Sequence, residues 1–381
     1  MGNAVSSQRS RRDVLRLIKE QQHISRAELA KLTGLTRPTV SAIVNEFVKQ
    51  KVVSETGKGE SCGGKRPIML ELNNQSCYAV GIDLGDDYLI RGVLCDLCGN
   101  VINREELEYE NNFETILSVL CELIKRLVSV VPKKRVKGVG IAVSGTVDSN
   151  ANEIVSSTTF DVEKKSLAKL LAKRCGFKVF VENRPNAAAL AETMFGAGKD
   201  FNNLVYITSG RGVGAGIVID GKIFRGSFGI AGEIGEMLLP FVDENGEFRQ
   251  MQLEEETRAR AVLSKVEKLK GQKLSFRQIL EAYQQDDADV VAVMDRNAQY
   301  MAYAAQLVAN LLNPEAIILG GRTVELGDKY FIQFKNYFDQ GLFKGRIANK
   351  ATEVRYSEFG RMGVAVGGAV VVLDMVMNLD V

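Results

Sequence analysis

Apolar residues in the first fifty positions recur at helical spacing. Val14, Leu15, Leu17 and Ile18 predict an amphipathic helix over Arg11 to Gln21. Ser25 is placed to cap a second helix, Arg26 to Leu32, with Glu28 three residues on completing a capping box and Gly34 breaking the chain after it. Thr36 caps a third helix; Pro38 fits its first turn, and Val40, Ile43, Val44 and Phe47 form its apolar stripe. From residue 52 the period changes to two. Val52 and Val53 open a strand, glycines 57, 59, 63 and 64 form a loop, and Ile68 to Leu72 alternates as a return strand.

Helix, helix, glycine turn, helix and hairpin together read as a winged helix-turn-helix over residues 1–72, whose third helix meets base edges in the DNA major groove. Thr36, Arg37, Thr39, Ser41 and Asn45 are then the DNA-facing residues, and Lys65 and Arg66 form a basic wing tip suited to the minor groove. A small helical packing module with a solvated polar face has the same helical pattern, but it needs no basic loop.

Beyond the polar stretch at 73–76, strands and helices alternate. Tyr78 to Leu84, Leu89 to Asp96, Val101 to Tyr109 and Val136 to Val143 read as strands, and Thr115 to Val130 as a helix. A second block opens with strands Leu204 to Thr208 and Ala215 to Ile219 around a glycine-rich turn. The class is α/β, with two related lobes.

Composition adds few restrictions. The 381 residues, 45% hydrophobic and 25% charged, suit two or three ordinary domains. The net charge of +2 selects no partner, but Gln8 to Arg16 holds four arginines and one aspartate, so the basic bias sits near the N-terminus. Six cysteines without a framework and an N-terminus without a signal-peptide core point to a reducing cytoplasm. Cys95 and Cys98 have the spacing of half a zinc site, yet no second pair follows, and buried small residues are the plainer reading. No apolar run is long and uninterrupted enough to require a membrane.

A set of segments carries a resemblance over essentially the whole chain: Gly81-Ile82-Asp83-Leu84-Gly85, Gly138-Val139-Gly140-Ile141-Ala142, Val181-Glu182-Asn183, Gly212-Val213-Gly214, Ala231-Gly232-Glu233-Ile234-Gly235 and Ile318-Leu319-Gly320-Gly321. In their order and spacing the chain resembles the ROK family (repressors, open reading frames and kinases), and in particular its repressor branch. The resemblance implies an actin-like, sugar-kinase body in two lobes behind the winged head. The first lobe would span 73–190 and be joined by a C-terminal helix at about 362–378; the second would span 191–361.

It also implies where kinase chemistry should lie, and the residues there depart from it. The family's catalytic base is an aspartate in a segment resembling Asn-Asp-x-Asn; here Arg184 follows Asn183, and a guanidinium cannot accept a proton near neutral pH. The first phosphate loop, resembling Asp-x-Gly-Gly-Thr, reads Asp83-Leu84-Gly85-Asp86-Asp87, adding two carboxylates that repel a triphosphate. In the second, Arg211 replaces a threonine between Gly210 and Gly212; a hairpin turn and an anion site are both open. Glu236 stands where the family has a zinc-binding histidine, so neither a metal nor another cofactor is expected.

Asn183 and Glu233 match sugar-contacting positions, and with Arg184 and Glu236 they form the expected effector site, unless the first two only support the fold. Arg184 has two readings: an ion pair with Glu236, or a bidentate contact to a sugar phosphate. The expectation is therefore a non-enzymatic, sugar-responsive repressor, working as a homodimer on operator DNA. Its rivals are an ATP-dependent hexose or N-acetylhexosamine kinase, with Asp86, Asp87 or Glu236 as the only nearby bases, and a protein-docking module.

Overall fold

The computed structural model describes residues 2–58, 66–85, 88–110, 112–157, 166–243, 245–342 and 351–377. It divides into two units: Met1–Glu182 with Asp220–Lys222 and Ala365–Val381, and Asn183–Ile219 with Ile223–Val364. The division after Glu182, rather than after residue 190, follows from a single turn: strand gives way to helix at Asn183, and that helix packs in the second unit.

The first unit opens with helices α1 (Gly2–Gln21), α2 (Arg26–Thr33) and α3 (Arg37–Lys49). Helix α1 starts well before the predicted Arg11, a start that the sequence does not mark because residues 2–10 show no apolar period. The caps form as expected. Ser25 Oγ accepts from the Glu28 amide while Glu28 accepts from the Ser25 amide, Gly34 takes the left-handed conformation at φ 71°, and Thr36 Oγ1 accepts from the Thr39 amide. Strands β1 (Ile24–Ser25), β2 (Val53–Lys58) and β3 (Ile68–Leu72) form an antiparallel sheet with β3 in the middle. Val14, Ile18, Leu29, Val40, Val44, Phe47 and Leu70 are fully buried between helices and sheet, each contributing about 1.5–3 kcal/mol by leaving water.

The same unit holds a five-stranded sheet of β4 (Tyr78–Leu84), β5 (Leu89–Asp96), β6 (Val101–Glu108), β7 (Val136–Val143) and β8 (Val179–Asn183), in the order β8-β7-β4-β5-β6. β4 is buried at every position, as its continuous apolar run predicts, whereas β6 exposes its first residue and then every second one from Ile102, as an edge strand should. Helices α4 (Phe113–Val128) and α5 (Leu167–Cys175) cover one face through Leu120, Leu123, Leu127 and Leu171.

The C-terminal helix, Gly363–Met377, lies against the sheet with almost no intervening side chain. A Cβ on Gly81 would sit 1.9 Å from the Ala365 carbonyl oxygen, and one on Gly140 1.9 Å from that of Gly368. Gly360–Met377 has the length and mean hydropathy, 1.6, of a membrane-spanning segment, but most of it is buried inside the protein. Packing on the sheet accounts for that composition, since a helix that meets a sheet this closely is apolar all round. Cys95 and Cys98 are buried; burial and Asp96 push the Cys98 thiol up to about 11, and its Sγ donates to Asn74 Oδ1 at 3.1 Å.

In the second unit α6 (Arg184–Phe195) packs on a sheet of β9 (Leu204–Ser209), β10 (Val213–Ile219), β11 (Ala316–Gly321) and β12 (Glu353–Tyr356), in the order β10-β9-β11-β12, with the short strand Lys222–Ile223 beyond β10. The pair β9/β10 is antiparallel; β9/β11 and β11/β12 are parallel. A long helix, Ala288–Leu312, builds the core beside it through Met294, Ala298, Met301 and Ala305.

Candidate functional site

On the head, Thr36, Arg37, Thr39 and Asn45 are exposed along α3, and Ser41 is half-buried. Their exposure follows from the apolar stripe, which turns the opposite face of the helix outward. Thr36 Oγ1 and Thr39 Oγ1 lie 2.8 Å apart, so the hydroxyls that cap the helix also stand at its exposed N-terminus. Asn45 Oδ1 accepts from Arg26 Nη2 at 3.0 Å, and Arg26 pairs with Glu55 of β2 at 2.8 Å. Arg26 was missed by sequence reasoning; nothing local marks a residue that reaches across three elements. Arg66 is exposed beside β3, while Lys65 lies outside the described residues.

In the first unit Asp83 is buried at the end of β4. Cross-strand register sets Arg91 of β5 opposite it and Glu106 of β6 opposite Arg91. The guanidinium lies 4.0 Å from Asp83 Oδ2 and 3.9 Å from Glu106 Oε1, so a cation neighbours the carboxylate of the first glycine loop. The Gly85 carbonyl accepts from Tyr109 Oη at 2.6 Å. Asp86 and Asp87 lie outside the described residues, as do residues 158–161 of the segment after Ser156.

In the second unit Asn183 precedes α6 with extended backbone, φ −69° and ψ 141°, and its side chain makes no capping bond to the helix. Arg184 and Pro185 form the first turn. A cation there opposes the positive end of the helix dipole, so this position is costly for arginine by local rules. Arg184 is near enough to the fully buried Tyr206 for its charge to act on that phenol, although burial dominates and drives the phenol upward.

Glu233 precedes a short 3-10 turn, Ile234–Glu236. Its carboxyl is pushed above the ordinary range by loss of solvent first, then by Glu236 and Glu254. Glu236 is exposed and accepts from Gln252 Nε2 at 2.7 Å. Gln252 lies on a ribbon, Leu238–Val242 with Phe248–Gln252, that carries no legible sequence signal.

The turn between β9 and β10 holds Gly210, Arg211 and Gly212. The Gly210 amide donates to the Gly212 carbonyl at 2.9 Å, and the Gly210 carbonyl accepts from Ala259 at 2.7 Å. The Val213 amide donates to Glu254 Oε2 at 3.0 Å, and Arg211 is exposed. Glu254, which pairs in turn with Arg258 at 3.3 Å, thus supports the turn and contributes to the charge around Glu233. The structure therefore brings Glu233, Glu236, Glu254 and the second glycine turn into one neighbourhood.

The fold and the residue pattern agree with what comparison with known proteins finds. Residues 79–375 match the ROK family, and residues 8–54 match a winged helix-turn-helix DNA-binding family. The chain belongs to the ROK family. Within that family it is 30% identical over 369 residues to the xylose repressor of Bacillus spizizenii, covering 96% of this chain and 95% of that one. It is 27% identical over 326 residues to the N-acetylglucosamine repressor of Escherichia coli, with coverages of 82% and 80%.

Among solved structures, a ROK family transcriptional regulator homologous to the E. coli MLC protein has a TM-score of 0.79 at 24% identity, covering 99% of this chain and 98% of that one. A ROK family glucokinase from Streptomyces griseus, in complex with glucose and AMPPNP, has a TM-score of 0.67 at 25% identity; it covers 77% of this chain and 98% of the glucokinase. The ROK body is thus shared with kinases, and the winged head is matched together with the body by the regulators.

Proposed function

We propose that this protein is a sugar-responsive repressor whose winged head binds operator DNA and whose ROK body binds a sugar or sugar phosphate without phosphorylating it. The observation that carries the reading is the union of a winged helix-turn-helix head with a ROK body, over a length that matches repressors nearly end to end. On the head, Thr36, Arg37, Thr39, Ser41 and Asn45 face the major groove, and Lys65 and Arg66 reach the minor groove. Arg26 holds the Asn45 oxygen, which leaves the amide donors of Asn45 for base acceptors.

In the body, Asn183 and Glu233 hold sugar hydroxyls, with Arg184 and Glu236 beside them. The raised carboxyl of Glu233 suits it to a hydroxyl rather than to a cation. Arg184 supplies a fixed positive charge, which favours an anionic group on the sugar. Phosphoryl transfer needs a carboxylate to take the hydroxyl proton and an accessible negative charge for the metal of the nucleotide. Arg184 stands at the first requirement and the buried Asp83, with Arg91 opposite it, at the second. The protein works as a homodimer in the cytoplasm, its two heads matching the half-sites of a palindrome.

A kinase reading draws on the likeness to the glucokinase. One experiment separates the two: titration of the purified protein with a panel of sugars and sugar phosphates, with D-xylose and N-acetylglucosamine included because similar repressors bear those names, followed by gel shift on its own upstream DNA and an ATP turnover assay. Loss of a specific shift on adding one sugar, with no ATP consumed, is the expected result. Sugar-dependent ATP turnover that disappears in Glu236→Gln or Asp87→Asn makes the protein a kinase instead. Arg37→Ala is expected to weaken the shift by about 1–3 kcal/mol.

A further inference from the structure

We propose that Arg11 is the positioning residue of the DNA-reading helix, coupling α3 to the sheet of the body through the C-terminal helix. The inference rests on the reading of the head as a DNA-binding module. Arg11 lies on α1, and its side chain is only 10% exposed. Its Nη1 pairs with the Glu46 carboxylate of α3, its guanidinium lies over the Phe47 ring at 5.0 Å, and its Nη2 donates to the Met377 carbonyl at 3.1 Å. One planar group thus holds the reading helix on one side and the Met377 carbonyl of the body's C-terminal helix on the other.

The chemistry of each contact favours the arrangement. The Met377 carbonyl is a backbone acceptor and the Glu46 carboxylate an anionic one. The fixed fork of a guanidinium spans these two acceptors, which a lysine reaches only one at a time.

The C-terminal helix cannot slide over the sheet, because Gly81 and Gly140 bring its backbone directly onto β4 and β7. Close-packed backbone transmits a displacement rather than absorbing it. β4 ends at the loop of Asp83 and Gly85, and the same sheet ends in β8, which carries the buried Glu182. A shift of these strands therefore moves Met377, and Arg11 carries it to Glu46 and Phe47.

Two further contacts hold α1 without touching α3. Lys19 Nζ donates to the Cys98 carbonyl at 2.8 Å, and Arg12 Nη1 to the Gly221 carbonyl at 3.0 Å. Lys19 lies eight residues after Arg11 and seven after Arg12, about two turns along α1. Lys19 therefore serves as a control for simple docking of the head.

The test is hydrogen exchange on the full chain, on a variant ending at Val376, on Arg11→Met and on the two changes combined. Shortening the chain is expected to speed exchange of the buried α3 amides by on the order of five- to a hundredfold. Arg11→Met should do the same, the combination should add nothing more, and Lys19→Met should leave α3 unchanged. Arg11→Met should also weaken the gel shift by a comparable factor.

Exchange in α3 that ignores the shortened C-terminus, or effects of the two changes that simply add, overturns the coupling. If Arg11→Met does not fold, Arg11→Lys replaces it. The lysine keeps a charge for Glu46, so α3 should stay protected but lose its response to the shortened helix; a retained response overturns the proposal. Should the full chain bind none of its upstream DNA, the repressor reading fails, while the exchange cycle still decides the coupling.

Discussion

The two large sheets follow one strand order and differ in what meets them. In each, a central strand, β4 or β9, has an antiparallel hairpin partner on one side and a parallel strand on the other. The hairpin turn after the central strand carries the glycine loop in both. The first loop follows a buried aspartate set opposite an arginine; the second is Gly-Arg-Gly, exposed at Arg211 and supported by Glu254. A helix approaches each sheet through glycine: two backbone contacts at Gly81 and Gly140 in the first unit, and Gly216 against Pro185 at the start of α6 in the second. Strand order thus depends on which backbones can touch, while the chemistry sits in turn residues that the order leaves open.

The largest expected effect tests the tighter interface. Gly140→Val places its Cβ 1.9 Å from a helix carbonyl flanked by further backbone, and should cost more than about 3 kcal/mol, read as a lowered calorimetric transition. Gly216→Val should cost less, about 1–3 kcal/mol, because its nearest backbone neighbour, the Pro185 carbonyl, is 2.4 Å away rather than 1.9 Å. If Gly216→Val proves the more damaging, the asymmetry between the sheets is wrong.

Next in size is Arg91→Met. It removes the guanidinium opposite the buried Asp83, at a cost of about 3 kcal/mol in urea unfolding, and Asp83→Asn in the same chain should recover most of the loss. An unchanged urea midpoint would mean that Arg91 does not balance Asp83.

The smallest effect concerns acidity in the second unit. Glu233 has a folded pKa raised above 4.5, so folding binds a proton that the unfolded chain releases. Its protonated carboxyl costs nothing below 4.5, and a destabilising contribution appears as the pH rises from there through the raised value. Glu233→Gln should remove that slope from a melting temperature measured against pH, and should leave the chain slightly more stable at pH 7. A slope that survives in Glu233→Gln assigns it to another group.

Much of the head was legible because its signals are local. A cap acts over three residues, and Ser25 with Glu28, Gly34 and Thr36 each formed what their spacing predicts. The strands β4, β5 and β7 were legible as apolar runs with turn residues between them. The site was legible in part. The family resemblance named Asn183, Arg184, Glu233 and Glu236, which remain the proposed effector residues, whereas the contact of Glu236 with Gln252, on a ribbon with no apolar alternation, left no trace in the sequence. Arg26 and Arg91 escaped notice for the same reason: each gains meaning only from residues brought to it by another strand or helix.

The amino-acid sequence alone determined the winged head, the alternating α/β body and the arginine at the start of α6, because capping, periodicity and residue identity are settled within a few positions. Only the tertiary structure decided that Arg91 faces Asp83, that two glycines let the last helix rest on the sheet, and that Arg11 is shared between Glu46 and Met377. Those contacts join residues up to 366 positions apart, and at such separations no local preference selects a partner. The closing of the fold does, by bringing the strands into register and the two ends of the chain together.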